Sequence, residues 1–231
     1  MGEFKGFDAN GFMLLEMNKF NDSRDFYESV KDDIKRMSIV PMRQLCSDLS
    51  DELYRIDPKM NLIPTKMVSR VRRDTRYSKN KELYRSNIWC MFMRDKHQWE
   101  NFPCMWFEFF PEGYSYGVAM FRFDATGLEA FRKKLIEKPS EFRMALKGVE
   151  ITGAELYMDS YKKDRPGIEN ADKKLRLFYN AKNFGFTHYS NDMSKLIDGS
   201  IKEELIYALR AFTPMYKFLS EITDELTAKG E

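Results

Sequence analysis

The sequence predicts an α+β fold, with N-terminal helices, a central mostly antiparallel sheet carrying an aromatic hairpin, and C-terminal helices. Three observations carry that prediction: two amphipathic stripes before residue 58, four short aromatic or β-branched runs between residues 67 and 123, and helical spacing again up to residue 226. Strands gathered in the middle with helices at the ends give the segregated order of an α+β domain, not the alternation of a doubly wound one. A chain of 231 residues with 43% hydrophobic and 15% aromatic residues can bury a core without staples. No repeat, low-complexity tract or linker interrupts it, so residues 1–231 read as a single α+β domain.

A short apolar run at 12–17 is followed by a polar breaker at 18–21. Asp22 or Ser23 then caps a helix, Asp25 suits the positive end of its dipole, and Phe26, Val30, Ile34 and Met37 recur at helical spacing, so a helix is expected over 23–38. Pro41 fits the first turn of a second helix, striped by Met42, Leu45, Leu49 and Leu53 and closed by Asp57-Pro58.

The period then changes. Residues 67–73, 86–94, 103–110 and 115–123 read as strands. Phe110-Pro111-Glu112-Gly113 is a turn between the last two, with proline pre-setting φ and glycine relieving the exit. Two- and three-residue loops both fit, which leaves the hairpin register open.

Asp124 caps a helix bearing Leu128, Phe131, Leu135 and Ile136, ended by Pro139. A short helix over 140–147, a strand over 151–158, a polar loop over 162–170, a helix over 171–180 and an extended segment over 184–189 follow. Residues 201–226 are helical, with a break expected at Pro214.

Composition excludes several classes. The three cysteines, Cys46, Cys90 and Cys104, are odd in number and far apart, which fits neither a disulfide framework nor paired zinc ligands. They read as thiols of a reducing compartment. No apolar run reaches the ~18 residues of a membrane span, and the N-terminus lacks a signal peptide's hydrophobic stretch. Gly6 stands where a myristoylation motif wants Ser or Thr, and the Asn21-Asp22-Ser23 sequon has no meaning in a chain that is not exported. The expected location is the cytoplasm, away from membranes.

Charge is distributed unevenly. Residues 66–85 hold eight cations (Lys66, Arg70, Arg72, Arg73, Arg76, Lys79, Lys81 and Arg85) against Asp74 and Glu82, a local net of +6. The whole chain is only +2, so the remainder carries −4. If residues 68–73 form a strand, Arg70 and Arg72 share one face, and Ser69, Val71 and Arg73 the other. Arginines spaced by two can aim parallel forks at one phosphate or carboxylate. Tyr77 and Tyr84 supply flat surfaces beside the charges. Asp74, set among cations, reads as an ion-pair partner that orients them; the surrounding positive charge lowers its pKa, the opposite of what a general base needs. The same composition fits an internal salt-bridge network that pins a loop to the sheet.

Arg70-Val71-Arg72-Arg73-Asp74-Thr75-Arg76-Tyr77-Ser78-Lys79-Asn80-Lys81 resembles the signature of a large microbial family, domain of unknown function 2461, whose pattern runs approximately R-I-x-R-D-T-R-F-S-K-D-K-x-P-Y-K. Residues 20–27 are similar to that family's N-N-D-R-E-W-F helix start, and residues 106–117 and 124–132 resemble its aromatic hairpin and following helix. Leu83 stands where the family has proline, Arg85 replaces lysine, and a glycine-rich stretch is reduced to Gly113 and Gly117. The resemblance covers most of the chain. It implies a soluble fold and assigns no chemistry.

For an enzyme the proton-transfer group would be Glu108 or Asp74, and Glu108 is the candidate carried forward. Alternation puts it on the face of Trp106 and Phe110, where a carboxylate between aromatics would have a raised pKa. The competing reading is a wet face, or a pair with a motif arginine across the sheet. His97 and His188 have no nucleophile in a recognisable setting, and Ser78 to Lys81 matches S-x-x-K without its companion motifs. There is no Walker loop, no dinucleotide fingerprint and no metal-ligand spacing, so no cofactor or metal is expected.

The expected function is binding of a small anionic ligand, phosphorylated or carboxylated, at Arg70, Arg72, Arg73, Arg76, Tyr77, Lys79, Lys81, Tyr84 and Arg85. A pI near 8.3 is mild for a nucleic-acid binder, which ranks that partner second. Two alternatives stand beside it: an enzyme acting on an anionic substrate through a carboxylate, and a structural network whose function is protein–protein contact. The sequence carries no signal for oligomeric state.

Overall fold

The computed structural model describes residues 2–95, 100–169 and 171–230. His97 and Asn170 lie outside the described residues. The chain is α+β, with helices at both ends and an antiparallel five-stranded sheet.

The N-terminal helices follow one another closely. Helix α1 (Ala9–Asn21) starts on the Asp8 side chain, which accepts from Asn10 N, and ends at Asp22 in the left-handed region at φ 44°. It absorbs both the apolar run and the expected breaker, because Phe12, Leu15 and Asn18 fall on one buried face. Helix α2 (Arg24–Ile34) is capped by the Ser23 hydroxyl, which accepts from Phe26 N at 3.1 Å. A π-helical turn, Lys35–Ile39, then leads into α3 (Val40–Asp48). In an unbroken α-helix Pro41 would leave the Met37 carbonyl without its donor; the wider turn re-registers the ladder just before it. Helix α4 (Ser50–Ile56) and a single turn, α5 (Pro64–Met67), complete the group.

Strands β1 (Ile88–Phe92), β2 (Cys104–Phe110), β3 (Gly113–Met120), β4 (Glu155–Ser160) and β5 (Ala181–Ser190) lie in the order β1-β2-β3-β5-β4. The β2–β3 hairpin has a two-residue loop, Pro111 and Glu112, which resolves the open register. Gly113 has no positive φ. Its role is clearance, not turn geometry: a Cβ there would sit 2.1 Å from the Ser190 carbonyl oxygen. Residues 67–73, expected as a strand, join the sheet only through isolated bridges, and Met67 belongs to α5.

Helices α6 (Ala125–Glu137) and α7 (Pro139–Glu150) follow, α6 capped by Asp124, whose carboxylate accepts from Gly127 N at 2.7 Å. Ile136, read as part of the apolar stripe, is 48% exposed. Helices α8 (Lys173–Tyr179), α9 (Ser194–Asp198) and α10 (Ile201–Gly230) complete the chain. Helix α10 runs through Pro214 without the expected break. The Thr213 hydroxyl donates to the Leu209 carbonyl at 2.8 Å beside the proline, and α7 packs close there because Gly148 has no Cβ to meet the Ala211 carbonyl. Among the described residues no helix is long and apolar enough to cross a membrane.

Packing divides the chain into two interleaved compact units. The first comprises Met1–Phe92, Trp106–Tyr116 and Tyr189–Tyr207, the second Met93–Met105, Gly117–His188 and Ala208–Glu231. In the first, Phe109 packs against Phe7 (4.7 Å) and Phe12 (5.1 Å), with Leu15, Met42, Leu45 and Leu49 fully buried. The thiols of Cys46 and Cys90, distant in sequence, are in hydrogen-bonding contact there. In the second, Phe142 contacts Phe178 (4.9 Å) and Phe218 (5.2 Å), while Phe131 and Phe178 both contact Phe184. Each such ring contributes roughly 1.5–3 kcal/mol by burial.

Candidate functional site

The basic segment is an irregular hairpin in the first unit. Its outgoing arm pairs with residues 83–90 through the bridges Val68↔Cys90 and Arg72↔Tyr84. Ser69 N donates to the Trp89 carbonyl, Arg85 N to the Val71 carbonyl, and Arg73 N to the Leu83 carbonyl. Opposite the single residue Arg70 therefore stand three residues, Ser86, Asn87 and Ile88. Such a bulge bends the strand and redirects side chains. The hairpin is anchored from outside by Asp22, whose Oδ1 accepts from both Leu83 N (2.7 Å) and Tyr84 N (3.0 Å).

The tip, residues 74–82, is held by its own polar groups. The Asp74 carboxylate accepts from Arg76 Nε (2.9 Å), Arg76 Nη2 (2.7 Å) and Arg76 N (3.2 Å). These bonds, the side-chain ones foremost, hold the Asp74 pKa at about 2. Lys81 Nζ donates to the Thr75 carbonyl, and Asn80 Nδ2 to Glu82.

The alternation gives two faces. Arg70 and Arg72 are exposed on the outer face, and neither makes an ion pair among the described residues. Tyr77 is 94% exposed with the Arg76 guanidinium 5.7 Å from its ring, and Lys79 is exposed nearby. Tyr84 is not the open flat surface expected: it is 2% exposed and stacks on Tyr27 at 4.8 Å. Tyr84 is the bridge partner of Arg72 and shares its face, where Tyr27 covers it, while its neighbours Leu83 and Arg85 face the other way.

The inner face carries Arg73 and Arg85, brought together across the hairpin. They line a cleft of about 830 Å³ with Lys19, Ser86, Asn87 and Glu108. Three further carboxylates, Glu16, Glu82 and Glu112, edge it, along with Phe20, Phe110 and Tyr189. Arg73 Nη1 is 3.4 Å from Glu82 Oε2. Arg85 is half-buried and its Nε is buried without an acceptor. Burial pushes its pKa below the ordinary arginine value, the Arg73 charge pushes the same way, and Glu108 opposes them. Glu108 sits on the half-exposed face of β2 with Trp106 and Phe110, and accepts a hydrogen bond from Asn87 Nδ2.

Of the residues singled out in the sequence, the cleft gathers Arg73, Arg85 and Glu108. Arg70, Arg72, Arg76, Asp74, Tyr77, Lys79, Lys81 and Tyr84 lie outside its lining. Lys19, Asn87 and Tyr189 were missed, since each reaches the cleft from a separate element and no local pattern joins them. Among the described residues no cluster of three His, Cys, Asp or Glu could hold a metal.

The chain thus combines an α+β fold with a clamped, bulged basic hairpin that opens onto a mixed-charge cleft. The chain belongs to the family described as conserved hypothetical protein (DUF2461), whose model matches residues 10–218. No curated protein matches the chain.

Proposed function

We infer that the cleft binds a small anionic ligand, with a phosphate or carboxylate group seated between Arg73 and Arg85. The observation that carries this reading is Arg85: a half-buried guanidinium beside a like charge, with an Nε that lacks an acceptor. A buried donor without a partner costs about 1–3 kcal/mol, more when charged, and a ligand oxygen would supply the missing bond. The planar fork suits an oxyanion. The lining also holds four carboxylates, Glu16, Glu82, Glu108 and Glu112, against Lys19, Arg73 and Arg85. That balance disfavours a polyanion such as a nucleic-acid backbone and favours a compact ligand with hydrogen-bond donors of its own.

A second reading, catalysis on such a ligand with Glu108 as the proton-transfer group, is favoured by one observation: Glu108 shares the cleft with both arginines. The structural-network reading accounts for the Asp74–Arg76 pair and leaves Arg85 unexplained.

The test is calorimetric titration at low salt with inorganic phosphate, citrate and nucleoside monophosphates, comparing the wild type with Arg85→Gln. Loss of one charge-assisted contact should weaken binding by roughly 10- to 100-fold with little change in Tm. Binding that ignores Arg85, or an Arg85→Gln protein whose main defect is stability, would overturn the reading. Glu108→Gln separates the two versions: binding is kept in both, and turnover of a bound ligand is lost only in the catalytic one.

A further inference from the structure

The second unit holds a cationic cluster of a different kind. Around the Tyr161 ring stand Arg165 Cζ at 4.3 Å, Lys182 Nζ at 5.2 Å and Arg132 Cζ at 5.4 Å. Three like charges within such reach of one ring repel one another, and cation–π attraction to a single ring is a weak offset. Among the described residues carboxylates balance them only in part. Asp159 lies 3.8 Å from Lys182, while Asp164 is engaged by Arg176 (3.0 Å) and Asn180 (2.8 Å). Among the described residues neither Arg132 nor Arg165 has a carboxylate partner. Arg132 Nε donates to the Tyr179 carbonyl at 3.0 Å, and Arg132 Nη2 is buried with no acceptor.

The backbone is arranged to hold this cluster. The β4–β5 register runs Asp159↔Asn183 and then Ser160↔Ala181, which leaves Lys182 as the extra residue of a bulge in β5. A bulge turns its side chain out of the regular alternation, here onto the Tyr161 ring. Asn180 fixes the loop that follows: its carbonyl accepts from Tyr161 N, and its Oδ1 accepts from Arg165 N at 2.8 Å. Tyr161 and Arg165 are thus positioned through backbone N–H groups, and Arg132 through its Nε alone.

We propose that the Arg132, Arg165 and Lys182 cluster around Tyr161 is an oxyanion site that takes a phosphate group, free or as a monoester. Two guanidinium forks and an ammonium match the oxygens of one phosphate, and Arg132 Nη2 supplies a donor not yet used. The Tyr161 hydroxyl reports on the site: the neighbouring guanidinium groups, Arg165 foremost, hold its pKa below the ordinary tyrosine value. A dianion placed beside it reverses part of that shift.

The experiment follows the assigned tyrosine ¹³Cζ NMR signal of the full chain as inorganic phosphate, and separately glycerol phosphate, is added at low salt. The signal is identified by its absence in Tyr161→Phe. Saturable movement of the Tyr161 signal and a rise in its titration midpoint are expected. Arg165→Gln, a change at an exposed side chain, should weaken that response at least about tenfold. Arg85→Gln, in the cleft of the other unit, should leave it intact. Saturation by glycerol phosphate at lower concentration identifies a monoester, and by inorganic phosphate alone the free ion. A Tyr161 signal unmoved by either probe, or moved equally in Arg165→Gln, overturns the proposal.

Discussion

Asp74 sits among eight cations of the basic segment and spends its carboxylate on one of them, Arg76. With its pKa held at about 2, against 3.8 as the ordinary value, it is ionised throughout the range where a base would need to take up a proton. Its folded-state pKa is depressed, so the pairing is fully present above about pH 4 and is lost as pH falls through about 2. Titration of the Asp74 carboxyl carbon by NMR should give a midpoint near that low value, with the tip of the hairpin becoming protease-sensitive only below it. A midpoint at the ordinary aspartate value would show the pair to be open in solution. At this scale the sequence was partly legible. Burial alternates over 69–73 and leaves Arg70 and Arg72 exposed, although the segment pairs only through isolated bridges and is not the strand expected. The partnership of Arg73 with Arg85 was not legible, since it depends on a cross-strand register interrupted by a bulge.

Single elements were legible where a local signal fixes them. Ser23 and Asp124 cap the helices expected of them, and Pro41 lies in the first turn of α3. Pro214 misled, because the close packing of α7 on α10 at Gly148 keeps the helix continuous through the loss of one backbone donor. Gly113 was noticed for the wrong reason. Its backbone is ordinary, and what it provides is room for the Ser190 carbonyl. Gly113→Ala forces β3 and the end of β5 apart and should destabilise the protein by about 1–3 kcal/mol, as overpacking does. Urea unfolding measures this, and a neutral outcome would mean that the strands separate without cost. Because Tyr189 precedes Ser190 in the same strand and lines the cleft, the variant should also weaken any ligand bound there.

At the scale of the molecule, the two compact units interleave along the chain, so no linker marks them and composition reads as continuous. The same long-range closure brings Cys46 and Cys90 together and buries Cys104. Burial foremost pushes the Cys90 and Cys104 thiols up, which keeps them protonated and poor nucleophiles. Native protein should therefore react with a thiol reagent on the order of a thousandfold more slowly than denatured protein, and all three thiols should appear together on unfolding. Fast labelling of any one would mean that its unit opens locally. The Asp22 carboxylate has a wider consequence. It ties the joint between α1 and α2 to a hairpin 61 residues downstream, so the two segments are answerable to each other. A descendant that kept every arginine of the motif but lost this one acid would inherit the charges without the instruction for where to hold them.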